Sequence, residues 1–170
     1  IKDHAFFVNV IEKVLQKTSQ KIRVFIVGDG EDKSKIQELI GSKKMTYSEN
    51  KERATFQFTS WIKEIDHLNA GMDIICLTSK NEGTPVSLIE AQASGKPIVS
   101  TNVGGIENVI IPNKTGLLSQ VGDLNQFSNN LIQLIEDKAF RLSMEKFGQK
   151  KSLEFSYNKL IENTNSLYSL

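Results

Sequence analysis

Between Asn81 and Ser100 the chain reads NEGTPVSLIEAQASGKPIVS, and its carboxylates, Glu82 and Glu90, are the residues best placed to do chemistry. Thr84 suits a helix N-cap and Pro85 the first helical position, where a missing N–H costs nothing. The amides of Val86, Ser87 and Leu88 would then lack intrahelical acceptors and, with the helix dipole, form an anion site. Glu82 stands in the loop at the mouth of that site, and Glu90 lies over a turn deeper, near the face of Val86 and Ala93. Glu82 also reads as a solvated loop acid, and Glu90 as half of a surface salt bridge. Ile89, Ala91 and Ala93 speak instead for a helix pressed against neighbours, where a carboxylate needs a partner. A vicinal diol offers two hydroxyl donors to the two carboxylate oxygens. A ribose supplies that diol, and a phosphate at the helix end completes a nucleotide.

The elements around this stretch must hold it in place. Apolar spacing at Phe6, Val10, Ile11, Val14 and Leu15 predicts a helix over 3–17. KIRVFIVGDG is a β-branched run ending in glycines, a buried strand feeding a turn. EDKSKIQELIG returns to helical spacing with Gly41 as its stop. ATFQFTSW reads as a second strand, KEIDHLNAG as a short helix and MDIICLTS as a third strand. The opening stretch follows as a helix, ended by Gly95 and Pro97, and then a strand, KPIVST. NVGGIENVII is a loop with a short helix and TGLLSQ a last brief strand. From Asp123 the pattern is helical to the end, broken near Lys138 and Phe155. MTYSENKERA reads only as a polar loop.

Strands alternating with helices predict a doubly wound α/β fold with a mostly parallel sheet covered on both faces. Ligands bind such sheets outside the carboxyl ends of the strands. The loops after Val27, Phe58, Leu77 and Thr101 are therefore the ones that matter. After Val27 comes Gly28-Asp29-Gly30, but Lys33 stands where a dinucleotide fingerprint needs its third glycine, and no Walker pattern is present. Gly28 serves either a tight turn or close approach to a ligand. Gly104-Gly105 after Thr101 leave the same two readings open.

The chain has 170 residues, 39% apolar and 24% charged, with a formal net charge of +1. One domain with its own core fits that length. No Lys/Arg stripe dominates a segment, which argues against a nucleic-acid surface. No apolar run reaches the roughly 20 residues needed to span a bilayer, and no signal peptide is visible. The single cysteine, Cys76, lies in an apolar run and reads as a buried, inert thiol in a reducing compartment.

Taken together, these residues resemble the donor-binding half of a GT-B glycosyltransferase of the large retaining family 4, or group 1. The family pattern S-x-x-E-G-x-P-x-x-x-x-E-A-x-A-x-G-x-P-V-V, with a Val-Gly-Gly loop after it, is matched by Ser79, Glu82, Gly83, Pro85, Glu90, Ala91, Ala93, Gly95, Pro97, Val99, Val103, Gly104 and Gly105. FIVGDGE is similar to the family's Val-Gly-x-Gly strand end, with Glu31 in place of the usual proline. FSYNKLIENTNSLY resembles its closing helix, which packs back toward the partner domain. IKDH resembles the segment that carries a diphosphate-contacting lysine, matched here by Lys2; an arginine of that segment would precede residue 1. Thr59-Ser60-Trp61 departs from the family's usual glycine before the aromatic, in a loop that borders the nucleobase.

The resemblance implies that residues 1–170 are a C-terminal nucleotide-sugar-binding domain, with a first strand and an N-terminal acceptor domain lying outside the chain. It implies a donor site in which Glu90 holds the ribose diol, and Glu82 with Gly83, Thr84 and Val86 holds hydroxyls of the donor sugar. Amides around Ser87 and Leu88, with Lys2, hold the diphosphate, a form of leaving-group stabilisation. Pro85, Gly28, Ser60 and Trp61 complete the donor-binding set. The expected reaction is retaining transfer from a UDP-sugar, or less favourably a GDP-sugar, to a glycan or lipid-linked acceptor. The chain alone is expected to bind donor without robust transfer. No D-x-D motif is present and His4 and His67, read as packing or surface residues, form no ligand pair, so no metal or other cofactor is expected. A cytoplasmic site is expected, at the membrane face if the missing domain associates peripherally. The rival readings are half of a nonhydrolysing sugar-nucleotide epimerase and a non-catalytic α/β interaction module.

Overall fold

In the computed structural model, which describes residues 1–50 and 53–168, helices and strands follow the predicted alternation. The amino-terminal block comprises α1 (His4–Lys17), β1 (Val24–Val27), α2 (Lys33–Ser42), β2 (Tyr47–Ser48) and β3 (Phe56–Thr59). The second block runs through α3 (Ile65–Ala70), β4 (Ile75–Leu77), α4 (Val86–Ala93), β5 (Ile98–Thr101), α5 (Ile106–Val109) and β6 (Gly116–Ser119). Three helices close the chain: α6 (Leu124–Glu136), α7 (Lys138–Ser152) and, after a 3₁₀ turn at Leu153–Phe155, α8 (Tyr157–Tyr168).

All described strand pairs are parallel, and they form two three-stranded sheets, ordered β1-β3-β2 and β4-β5-β6. Among the described residues no ladder joins β1 to β4. The single sheet expected from the alternation is therefore split at this seam. The stretch read as a polar loop contains β2, which pairs Tyr47 with Phe56 and Ser48 with Gln57. Two residues are too few to show strand periodicity. Lys51 and Glu52 of that stretch, and Ser169 and Leu170 of the predicted terminal helix, lie outside the described residues. Gly41 sits inside α2 rather than ending it.

The helices use the periodicity seen in the sequence. α1 buries Val8, Val10, Ile11 and Val14, and its Phe6 ring meets Phe127 of α6 edge-on at 5.7 Å. Burial at this density supplies the main stabilisation, about 1.5–3 kcal/mol per large aliphatic or aromatic side chain. β5 is buried along its whole length. Its Val99 joins the cluster under α1 and α6, while Ile98 joins the cluster around Leu88, Ile106 and Ile110. This is the period-two alternation of a central strand covered on both faces. α7 packs on α4 at Gly148, where an added Cβ would already touch Gln92 Cγ at 3.5 Å. Gln92 is fully buried and donates through Nε2 to the Val109 carbonyl. No described helix is long and apolar enough to cross a membrane.

Candidate donor site

The loop after β4 brings Glu82 to the carboxyl edge of the second sheet. Its side chain is 12% exposed, and Oε1 receives Lys2 Nζ at 2.5 Å and Ser79 Oγ at 2.6 Å. Burial pushes the carboxyl upward in pKa, but the bonds from Lys2 and Ser79 outweigh it and hold Glu82 below the ordinary glutamate range. Glu82 is thus an ionised, pre-aligned carboxylate and not a solvated loop acid. Ser79 is fully buried, and its carbonyl accepts from Thr101 Oγ1 at 2.6 Å, which ties the loop to β5.

Lys2 is held from the backbone side. Thr78 Oγ1 donates to the Lys2 carbonyl at 2.8 Å, and the Lys80 amide donates to the Ile1 carbonyl at 2.9 Å. Asp3, left-handed at φ 48°, caps α1 by accepting from the Phe6 amide and pairs with Lys80 at 3.1 Å. The sequence signals for Lys2 and Glu82, eighty residues apart, therefore converge on one corner.

α4 departs from expectation at its first turn. Pro85 occupies the cap position with φ −76° and ψ 95°, and no side chain caps the helix, so Thr84 is not the N-cap. The Leu88 amide donates to the Pro85 carbonyl at 3.0 Å, which removes it from the set of free donors. Leu88's side chain is fully buried. Val86 and Ser87 remain exposed at the helix start, with Gly83 and Thr84 exposed in the loop before it.

The Glu90 side chain is exposed, not pressed into the helix interface, and among the described residues it has no hydrogen bond or ion pair. It lines a cleft of 1020 Å³ together with Lys2, Gly28, Thr78, Ser87 and Trp61. Of the neighbours that suggested burial, Ala91 is fully buried, but Ile89 is half-buried and Ala93 is exposed. An unpaired carboxylate aimed at a cleft keeps both oxygens available to a diol.

Gly28 has φ +104°, a conformation L side chains rarely adopt, and it follows β1 at the same cleft. Ser60 and Trp61 follow β3, with Trp61 79% exposed. His4 also lines the cleft, its imidazole pushed down in pKa first by burial, while His67 is exposed. Among the described residues no group of three or more His, Cys, Asp or Glu is placed to hold a metal ion.

Sequence reasoning missed the partner of the Gly104–Gly105 loop. It packs on protein: a Cβ on Gly104 would lie 1.9 Å from the Glu82 carbonyl oxygen, and one on Gly105 2.3 Å from that of Gly83. The Gly105 amide donates to the Glu82 carbonyl at 3.2 Å. The sequence left a tight turn and approach to a ligand equally open; the doublet instead approaches the backbone of the Glu82–Gly83 loop.

The chain has counterparts among known proteins. The chain is 25% identical to the UDP-Gal:alpha-D-GlcNAc-diphosphoundecaprenol alpha-1,3-galactosyltransferase of Escherichia coli, over 98% of this chain and 42% of that protein. It is 28% identical to the N-acetyl-alpha-D-glucosaminyl L-malate synthase of Bacillus anthracis, over 95% of this chain and 40% of that one. The chain therefore spans about two fifths of the length of these curated relatives. Its fold superposes on the crystal structure of Anabaena HepE in complex with UDP with a TM-score of 0.84 at 21% identity, covering 99% of this chain and 46% of that one. A family model for group 1 glycosyl transferases matches residues 2–151, running from Lys2 through both glutamates and into α7. On that match, which takes in every loop of the cleft corner, the chain belongs to the group 1 glycosyl transferases.

Proposed function

We propose that the chain is the donor-binding domain of a retaining glycosyltransferase that moves a sugar from a UDP-sugar, in preference to a GDP-sugar, to a glycan or lipid-linked acceptor. The observation that carries this reading is Glu90, an unpaired carboxylate on the cleft a turn inside a helix whose first amides are free. Its two oxygens suit the ribose diol. The amides of Val86 and Ser87, with the ammonium of Lys2, suit the diphosphate, whose charge is met in this reading without a metal. Glu82, ionised and fixed by Ser79, would accept from hydroxyls of the donor sugar, with Gly83 and Thr84 beside it. Trp61 and Ser60 would border the base near Gly28. As the glycosidic bond breaks, charge builds on the departing diphosphate, and fixed donors stabilise that charge more than they stabilise the bound substrate. The acceptor site would lie on an N-terminal domain of the parent protein, which would act at the cytoplasmic membrane face where its acceptor is lipid-linked. The UDP named in the complex of the Anabaena structure and the UDP-sugar named for the Escherichia coli relative support the choice of base.

The test is a thermal-shift panel of UDP, GDP and ADP. A ligand at a hundredfold its Kd stabilises the folded state by about 2.7 kcal/mol. UDP is expected to raise Tm most, in a concentration-dependent manner. No shift with any nucleotide would favour the interaction module. Loss of UDP-sugar to a new epimer on incubating the parent protein without acceptor would favour the epimerase.

A further inference from the structure

A second depression, of about 200 Å³, lies at the carboxyl ends of β5 and β6 and shares no residue with the cleft. Asn102 leaves β5 there, and its amide donates to the Ser119 carbonyl at 2.7 Å, which ties the two strand ends together. Asn102 Nδ2 donates to Glu107 Oε1 at 2.6 Å, so the carboxylate is held in place with Oε2 open. From α6, Gln126 accepts the Gln120 amide on Oε1 at 3.3 Å, and its Nε2 has no partner among the described residues. Pro112 and Leu118 contribute apolar surface to the same depression.

Ser119 makes this more than a dent between loops. It lines the depression at only 2% exposure, and its hydroxyl has no partner among the described residues. A buried hydroxyl without a bond costs stability, so its missing partner needs an explanation. The lining is selective in its chemistry. No cation belongs to it, so a phosphate or carboxylate would face Glu107 unscreened. Open acceptors at Glu107 stand beside open donors at Gln126, and a hydroxyl group is both donor and acceptor. A ligand carrying several hydroxyls and an apolar C–H face matches all of these surfaces. The volume holds about six waters at roughly 30 Å³ each, or one six-membered sugar ring.

We propose that this depression is a subsite for one pyranose ring of a glycan, separate from the donor cleft. Its hydroxyls are held by Glu107 and Gln126 and supply the partner of Ser119, while its C–H face lies on Pro112 and Leu118. The loop that begins at Asn102 continues into Gly104 and Gly105, which pack on the backbone of Glu82 and Gly83. A sugar bound here therefore sits across one loop from the carboxylate assigned to the donor sugar. That the ring belongs to a glycan rests on the proposed acceptor class; the depression itself does not.

The test uses the parent protein and saturation-transfer NMR with the methyl α-glycosides of glucose, galactose and N-acetylglucosamine, and with glycerol. UDP is added first and its own binding recorded, so that failure of the donor reading shows separately as an absent UDP signal. A single ring on a shallow surface binds weakly, and one glycoside is expected to give a Kd in roughly the millimolar range with UDP present. Glu107→Gln keeps the bond from Asn102 but removes the charge, and Kd is expected to rise about tenfold. Ser119→Ala is expected to weaken binding severalfold while leaving the unfolding midpoint unchanged or higher, because it deletes a buried hydroxyl that the fold does not use. No signal from any glycoside at ten times that concentration would overturn the proposal. So would an unchanged Kd in both variants, which would place the sugar elsewhere, or glycerol binding as tightly as the glycosides, which would show an adventitious additive only.

Discussion

The backbone of Gly104 lies against the carbonyl of Glu82 so closely that a methyl group at Gly104 would sit 1.9 Å from the Glu82 oxygen. With φ at +52°, the position is also one that side chains occupy at a penalty. Gly104→Ala is therefore expected to destabilise the fold by about 2–4 kcal/mol and to weaken nucleotide binding by displacing the Glu82 loop. Urea denaturation and calorimetry measure the two effects. Gly28→Ala, which meets no atom within 4 Å, carries only the backbone penalty, about 1–3 kcal/mol.

Glu90→Ala separates binding from folding. The side chain is exposed and unpaired, so stability should change by no more than about 0.5 kcal/mol. Hydrogen bonds to a charged group contribute about 1.5–3 kcal/mol each, so affinity for UDP is expected to fall roughly ten- to hundredfold or more. Unchanged affinity by calorimetry would remove Glu90 from the site.

Trp61→Ala tests the base-binding edge. At 79% exposed the ring does little for the fold. Stacking of an aromatic on a base is worth about 1–3 kcal/mol, and the variant should lose that much from UDP while keeping the wild-type unfolding midpoint. Full retention of affinity would move the base elsewhere.

The Glu82 carboxyl titrates below its ordinary value, so the unfolded chain binds its proton more readily than the folded one. Its contribution is complete above the unfolded pKa of about 4.3 and is lost as pH falls through the lower folded value. Lys2 is half exposed, and screening limits the pair to about 1 kcal/mol or less. Urea midpoints from pH 3 to 7 should show wild type above Glu82→Gln by a constant margin near neutrality that shrinks below about pH 4. A margin that grew in acid would contradict the pairing.

Much of this was legible in the residues. The β-branched runs at Val24, Phe56, Ile75 and Ile98 are strands, and Val8, Ile11 and Val14 mark the buried stripe of α1. The motif around Glu82 and Glu90 falls in the loop and helix after β4, at the carboxyl edge of the second sheet, because glycine, proline and acid at fixed offsets reflect local backbone geometry. What escaped was set by distant contacts. β2 is a strand only because Phe56 and Gln57 pair with it. Glu90 is exposed because α4 turns its other side to α7, which no local pattern encodes. The capping role assigned to Thr84 failed since Pro85 already fixes the turn into the helix.

The tether of Ile1 and Lys2 to Thr78 and Lys80 has a last consequence. It plants the ammonium and the carboxylate on a shared strand end, so that their separation is decided when the chain folds and not when a ligand arrives. A charged guest then meets dipoles already facing it, and little of its binding enthalpy is lost to rearranging its host.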